Sequence, residues 1–175
     1  RKMSLNDGLV DLGAVTFPLG LTWLIINNFA ALQSVPTPVL QLRQLSTLDL
    51  SHNALETIPS QLAEMTTLMS VNLSHNKLQD VPGAICLPSI RKLDLSHNVL
   101  TRVSSKLFKM KGLETLTLCY NEIVALPGYI RHLSHLRWFK ITHNQLFHLP
   151  AEIVQGRQQR FRQLDVFGNP FVMDG

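Results

Sequence analysis

Histidine is the residue whose repeated spacing most directly suggests chemistry in this sequence. Four of the seven histidines, His52, His75, His97 and His143, each stand immediately before an asparagine, and Tyr120 occupies the same place once more. Neutral imidazole is a common zinc ligand, so a row of imidazoles raises the question of a metal site. A straight row does not converge on one ion, however, and no cysteine or carboxylate recurs beside it. We therefore predict no metal site.

Cys119 is the candidate nucleophile, because His97 and His143 belong to the repeats on either side of it. A nucleophilic cysteine needs a base, a third group that orients the base, and donors for the developing oxyanion. The sequence supplies neither the third group nor such donors. We expect Cys119 to be an exposed, inert thiol on the outward face, beside Ser96 and Thr142. No catalytic residue, no cofactor and no enzymatic activity are predicted.

The histidines recur because the chain itself repeats, with the motif LDLSHN at 48–53 and again at 93–98. Each copy fits the frame L-x-x-L-x-L-x-x-N-x-L, and the asparagines of the frame are Asn53, Asn76, Asn98, Asn121, Asn144 and Asn169. The alternating apolar residues predict a short strand whose leucines point inward and whose intervening residues point outward. We expect the asparagines to form a structural ladder, each bonding to main-chain groups of the adjoining loops.

This frame is typical of leucine-rich repeats, and the sequence resembles that family. The resemblance implies an α/β solenoid, a horseshoe with a parallel sheet on its concave face and short helical or irregular segments on its convex side. One repeat cannot bury its apolar face alone, so the copies must stack. We expect residues 1–20 to form an N-terminal cap or flank. Residues 21–175 would then hold a degenerate first repeat, five full repeats and one partial repeat, with the C-terminal cap missing.

Composition and charge exclude other classes. Leucine accounts for 31 of 175 residues, yet no apolar run reaches the roughly 18 residues that span a bilayer. Prolines along the whole chain exclude a long coiled coil. Two cysteines are too few for a disulfide framework, which favours an intracellular protein. The net charge is −2 over residues 1–88 and +6 over residues 89–175, so the C-terminal half suits an acidic partner.

The outward residues change from small and polar in the first three repeats to basic and aromatic in the later ones. Tryptophan, tyrosine and arginine are enriched at binding hot spots. We therefore predict a protein-binding patch on the concave face, formed by Tyr120, Arg137, Trp138, Lys140, Arg162 and Phe167. Arg157 and Arg160 add positive charge beside this patch, and basic residues among aromatics also suit single-stranded nucleic acid. That alternative has less support, because no nucleic-acid-binding motif accompanies it.

The two ends of the array carry a narrower resemblance, in FPLGLTWLIIN at 17–27 and LDVFGNPF at 164–171. They resemble leucine-rich-repeat substrate receptors of elongin-linked cullin-RING ubiquitin ligases, which act on the replicative CMG helicase when DNA replication terminates. The resemblance implies a nuclear protein without a membrane anchor. Its repeats would bind the helicase, and sequence outside this segment would bind elongin B/C and a cullin. The alternative resemblance is to intracellular scaffolds of the Ras pathway, which hold a phosphatase or a small GTPase.

Overall fold

The strands of the computed structural model form one open sheet, and the structure describes residues 1–6, 11–154 and 161–172. Within these residues eight strands lie side by side in chain order, and every neighbouring pair is parallel. They are β1 (Lys2–Asn6), β2 (Trp23–Asn27), β3 (Thr47–Asp49), β4 (Ser70–Asn72), β5 (Lys92–Asp94), β6 (Thr115–Thr117), β7 (Trp138–Lys140) and β8 (Gln163–Asp165). The predicted leucine-rich-repeat solenoid is confirmed.

Short helices return the chain along the convex side. In the described part of the chain, five are 3₁₀ helices and one is a single α-helical turn, α1. They are Thr37–Gln41, Ser60–Glu64, Gly83–Ile85, Leu107–Lys109, Gly128–His132 and α1 (Ala151–Val154). Four of the 3₁₀ helices begin directly after a proline with extended backbone, at Pro36, Pro59, Pro82 and Pro127. Proline suits this place because a helix start does not need its N–H. No helix in the described residues has the length and apolar character to cross a bilayer.

Stacking of the repeats creates the core. The register aligns equivalent inward residues of neighbouring strands, so Leu48, for example, pairs with Val71, and Leu116 pairs with Phe139. These side chains are almost fully buried in one continuous apolar cluster. Burial of a leucine contributes roughly 1.5–3 kcal/mol. Within the flank expected at residues 1–20, β1 adds a strand to the same sheet, in register with β2.

The asparagines of the frame connect each repeat to its neighbours through the turn after the strand. Asn98 donates from Nδ2 to the carbonyls of Leu73 and Leu95, both at 3.0 Å, and its Oδ1 accepts from the N–H of Leu78 at 2.9 Å. The same set of bonds recurs at Asn53, Asn76, Asn121, Asn144 and Asn169. Each amide therefore satisfies main-chain groups of two repeats and fixes their spacing.

Candidate functional site on the concave face

The concave face consists of the strand side chains that point away from the core. Because the strands are in register, their first residues form one column and their third residues form a second. The first column is Lys2, Trp23, Thr47, Ser70, Lys92, Thr115, Trp138 and Gln163. The second column is Ser4, Ile25, Asp49, Asn72, Asp94, Thr117, Lys140 and Asp165. The fold thus presents two parallel rows of side chains to a ligand.

The C-terminal end of this face brings together three of the residues predicted to bind a partner. Trp138 is half-buried, and the guanidinium carbon of Arg162 lies 5.5 Å from its ring centroid. Lys140 adjoins them in the second column, with its Nζ 3.9 Å from a carboxylate oxygen of Asp165. Arg137 points elsewhere, because its Nη1 donates to two main-chain carbonyls of the preceding turn, at 3.2 and 3.3 Å. The cluster at this end is therefore Trp138, Lys140 and Arg162.

Tyr120 belongs to a column of stacked rings along one edge of the concave face. We call His52, His75, His97, Tyr120 and His143 the ring column. Neighbouring ring centroids are 4.0–4.3 Å apart and the planes differ by 6–12°. All five residues have left-handed backbone with φ of 51–56°, so their side chains leave the chain in the same direction. Phe167 lies at the C-terminal end of the column, where its ring packs edge-on against the ring of His143 with the two centroids 5.2 Å apart.

The geometry of the ring column bears on what it can do chemically. Parallel rings direct their nitrogen lone pairs side by side, so neighbouring imidazoles do not converge on one ion. In the described part of the chain, no group of three or more histidine, cysteine, aspartate or glutamate side chains could hold a metal. Burial lowers the pKa of His75, and the charges of His97 and His52 lower it further, against an opposing effect of Asp94. His75 is therefore neutral at pH 7.

The two thiols do not form a reactive site. The expected exposure of Cys119 is wrong: its side chain is buried, as are Ser96 and Thr142 at the same place in neighbouring repeats. The reason is that the chain has left the strand and turns at this point. The alternation of inward and outward side chains, which holds along a strand, therefore no longer applies. Burial raises the pKa of Cys86 to about 11, so it is a neutral thiol at physiological pH.

A second aromatic cluster, which the sequence analysis did not single out, lies at the N-terminal end of the concave face. Trp23 is 37% exposed, and the Nζ of Lys2 lies 4.0 Å above its ring centroid. Lys2, Trp23, Ile25, Ser4 and Met3 line a shallow depression of about 400 Å³. The alternation of inward and outward side chains that predicted an outward Trp138 also applies to β2, and it could have placed Trp23 outward. Nothing in the sequence placed Lys2, because β1 lacks the repeat frame.

The basic residues considered for nucleic acid are described only in part. Arg157 and Arg160 lie outside the described residues. Arg162 is described, and its guanidinium lies over the ring of Trp138. Arg137 and Lys140, the other basic residues of that set, are described as well: Arg137 donates to main-chain carbonyls, and Lys140 lies 3.9 Å from Asp165.

Comparisons with known proteins agree with this architecture. The family model described as leucine rich repeat matches residues 20–78, 43–100 and 88–146. No curated protein matches the sequence. Among solved structures, a leucine-rich-repeat protein of Leptospira interrogans is 28% identical with a TM-score of 0.67, and it covers 87% of this chain and 44% of its own.

Two further solved structures are similar in fold. An internalin, InlF, of Listeria monocytogenes is 21% identical with a TM-score of 0.69, covering 86% of this chain and 49% of its own. The leucine-rich-repeat ectodomain of the Arabidopsis thaliana receptor kinase GASSHO1/SCHENGEN3, solved in complex with CASPARIAN STRIP INTEGRITY FACTOR 2, is 25% identical with a TM-score of 0.71, covering 90% of this chain and 23% of its own. The chain thus spans less than half the length of each of these structures.

Proposed function

Because the chain belongs to the leucine-rich repeat family, we propose that it is a non-catalytic protein-recognition module whose concave face binds a protein partner. The observation that carries this proposal is the cluster of Trp138, Lys140 and Arg162, which lies on the solvent-facing side of the sheet and fills no core. Tryptophan and arginine are the residues that most often dominate binding energy. The Arabidopsis relative gives a precedent, since its ectodomain was solved in complex with another factor.

The rigidity of the scaffold suits this role. Each outward side chain rises from a strand that is bonded to a neighbouring strand on either side, apart from the first and last of the described sheet. A partner therefore meets side chains whose backbone is already fixed, and binding costs little further ordering. The cation–π contact of Arg162 with Trp138, worth roughly 0.5–1 kcal/mol at an exposed site, also holds the ring in place before the partner arrives.

The finer proposal is a substrate receptor of an elongin-linked cullin-RING ubiquitin ligase. In this role the concave face holds the replicative CMG helicase for ubiquitylation and replisome disassembly in the nucleus. Support comes from the two terminal segments at 17–27 and 164–171 and from the net charge of +6 over residues 89–175. Sequence outside this segment would bind elongin B/C and the cullin, and the attached ligase would transfer ubiquitin.

The test is capture of purified CMG helicase by the immobilised chain. The variant Trp138→Ala/Lys140→Glu should lose at least tenfold in captured helicase, because it removes the ring and reverses the charge of the cluster. The matched control is Tyr129→Ala/Lys109→Glu, which also removes one exposed aromatic ring and reverses one lysine, but on convex 3₁₀ helices.

Each other outcome has a clear reading. If wild type captures the helicase and the concave variant captures it equally well, the choice of face is wrong. If wild type captures no helicase, the ligase-receptor proposal is wrong. Capture of a purified Ras-type GTPase or phosphatase instead would favour the scaffold alternative, again with loss in the concave variant and not in the control.

A further inference from the structure

The turn that follows each strand of the repeat frame carries one residue that points to solvent. It stands three positions after the frame asparagine, and the six residues at this place are Glu56, Gln79, Thr101, Val124, Phe147 and Val172. Main-chain bonds align them across repeats, since the N–H of Val124 donates to the carbonyl of Thr101 at 3.4 Å and the N–H of Val172 donates to the carbonyl of Phe147 at 3.0 Å. All six side chains are exposed. They therefore form one row along the edge of the solenoid, between the concave strands and the convex helices.

The chemistry of this row changes in the middle of the array. Its first three residues are polar, whereas Val124, Phe147 and Val172 are apolar and are exposed by 51%, 48% and 53%. The polar residues at the same place in the first three repeats show that the fold does not need apolar side chains here. Single exposed apolar residues are ordinary, but three on successive repeats form a continuous apolar surface. We call these three residues the apolar strip.

The surroundings of the apolar strip carry no permanent charge at the next position of the chain. Ala125 and His148, which follow the first two members of the strip, are both exposed. At the same place in the two preceding repeats, Asp80 and Arg102 form an ion pair with a nitrogen–oxygen distance of 2.9 Å. The cations of the concave face suit an acidic partner, whereas the strip suits an apolar and uncharged surface.

A second copy of the chain offers such a surface, and charge decides the direction in which it would lie. If the two rows met in the same direction, Glu56 would face Glu56 of the second copy. In the opposite direction Phe147 meets Phe147, and Val124 meets Val172, because these valines stand one repeat on either side of the phenylalanine. The polar half of each row then extends beyond the contact. Glu122, the carboxylate nearest to the strip in sequence, faces the β8 repeat of the second copy instead of another Glu122.

The exposed area of the apolar strip sets the strength expected of this contact. Half of the 150–250 Å² that a large aromatic side chain buries is about 100 Å², so three half-exposed residues offer about 300 Å² per copy. Homodimer interfaces are about 65% apolar, so the whole contact would bury roughly 900 Å² over both copies. Interfaces below about 1,200 Å² are typical of weak association. The contact should therefore form and separate with protein concentration.

We propose that the apolar strip is the contact of a weak antiparallel homodimer whose two-fold axis passes beside Phe147. A two-fold contact needs a patch that is complementary to itself, and the order valine–phenylalanine–valine is the same in both directions. The axis runs along the turn, so both concave faces lie on the same side of the dimer and stay open. The inference goes beyond the proposed recognition function, because it holds whichever protein the concave face binds. It also gives a partner with two sites a gain in avidity.

The test is sedimentation velocity of the whole chain, from low micromolar to several hundred micromolar concentration. Wild type should sediment faster as its concentration rises, and Phe147→Asp should weaken self-association at least tenfold. The matched control is Tyr129→Asp, which places the same charge at a similarly exposed aromatic residue on a convex 3₁₀ helix. It should associate as wild type does. Circular dichroism checks that both variants are folded.

An exchange of charge tests the antiparallel direction. Val124→Glu and Val172→Lys should each weaken self-association, because each places one charge against an apolar residue of the second copy. The double variant Val124→Glu/Val172→Lys should recover most of the association, since only the antiparallel contact sets these opposite charges against each other. A double variant that associates no better than the single variants would overturn this direction.

The remaining outcomes separate the dimer from the proposed function. If wild type is monomeric at several hundred micromolar, or if Phe147→Asp associates as wild type does, the strip does not join two copies. A monomeric wild type together with reduced helicase capture by Phe147→Asp would assign the strip to the protein partner instead. The concave variant Trp138→Ala/Lys140→Glu should still dimerise, so the failure of either proposal leaves the other open to its own test.

Discussion

Removal of the Asn98 side chain is the sharpest test of how the repeats are held together. The carbonyls that Asn98 bonds have second donors, since Leu73 also accepts from Asn76 and Leu95 also accepts from Asn121. The N–H of Leu78 has Asn98 Oδ1 as its side-chain acceptor, and this bond is buried. The variant Asn98→Ala therefore leaves one buried N–H unpaired, and each carbonyl that Asn98 shares with another donor loses one hydrogen bond.

The expected loss follows from these bonds. An unpaired buried N–H costs about 1–3 kcal/mol. The small cavity and the half-satisfied carbonyls add roughly 1 kcal/mol. For a chain of this length each kcal/mol lowers Tm by about 2–4 °C, so Asn98→Ala should lower Tm by about 5–15 °C. Asn98→Leu, which restores most of the volume but no hydrogen bond, should recover little of this loss.

The assay is urea and thermal unfolding followed by far-UV circular dichroism and by tryptophan fluorescence. Trp23 and Trp138 lie near opposite ends of the array, so coincident transitions would show that it unfolds as one unit. The matched control is Asn169→Ala, whose amide makes the same bonds but is only partly buried, so water can replace it. If Asn98→Ala is within about 0.5 kcal/mol of wild type, or if Asn169→Ala costs more, the ladder does not hold the repeats.

Three further predictions concern pH, thiols and backbone strain. Folding lowers the pKa of His75 below 6.5, so the unfolded chain binds this proton more tightly than the folded chain. The free energy of unfolding should therefore fall as pH drops below that value. His75→Asn should show a smaller drop in urea midpoint between pH 7.5 and 5 than wild type, and an equal drop would contradict this. Cys86, with a pKa of about 11, and buried Cys119 should react with Ellman's reagent only slowly until urea is added, and fast labelling of the folded chain would contradict this. Gly168→Ala should lose about 1–2 kcal/mol, because φ is +72° and the new Cβ would lie 3.0 Å from His143; an unchanged Tm would contradict it.

The repeat period of the sequence was sufficient to predict the fold, because the apolar positions of the repeat frame identify the side chains that point inward. It could not predict β1, whose five residues carry two apolar positions but are not followed by the rest of the repeat frame. It misplaced Cys119, because alternation holds only within a strand and this residue lies just before the left-handed turn at Tyr120. It also could not foresee that Arg137 turns toward main-chain carbonyls, since that depends on the rotamer and not on the position.

The candidate site was only half predicted for a related reason. The cluster at Trp138 was found because several unusual residue types lie together in the sequence. The aromatic cluster at the N-terminal end of the concave face depends on Lys2 and Trp23, which lie 21 positions apart in the chain and meet only because β1 and β2 pair in register. A contact that depends on register between strands is invisible to composition, and it becomes visible only when both strands are known.

Some charged residues on the concave face stabilise the fold, and these must be separated from the residues that are free to bind before a partner is inferred from charge. Asp49 and Asp94 lie at its centre, yet an oxygen of each accepts from the N–H of the serine two residues later, at 2.9 Å. Such bonds stabilise the turn after the strand, so these carboxylates have a structural reason to be present. Lys2 and Arg162 have no comparable bond to main chain among the described residues, and their contacts are with aromatic rings. Lys92, in the middle of the first column, is exposed and makes no ion pair with the described residues. These three cations, and not Asp49 and Asp94, are therefore the charges that a partner should complement.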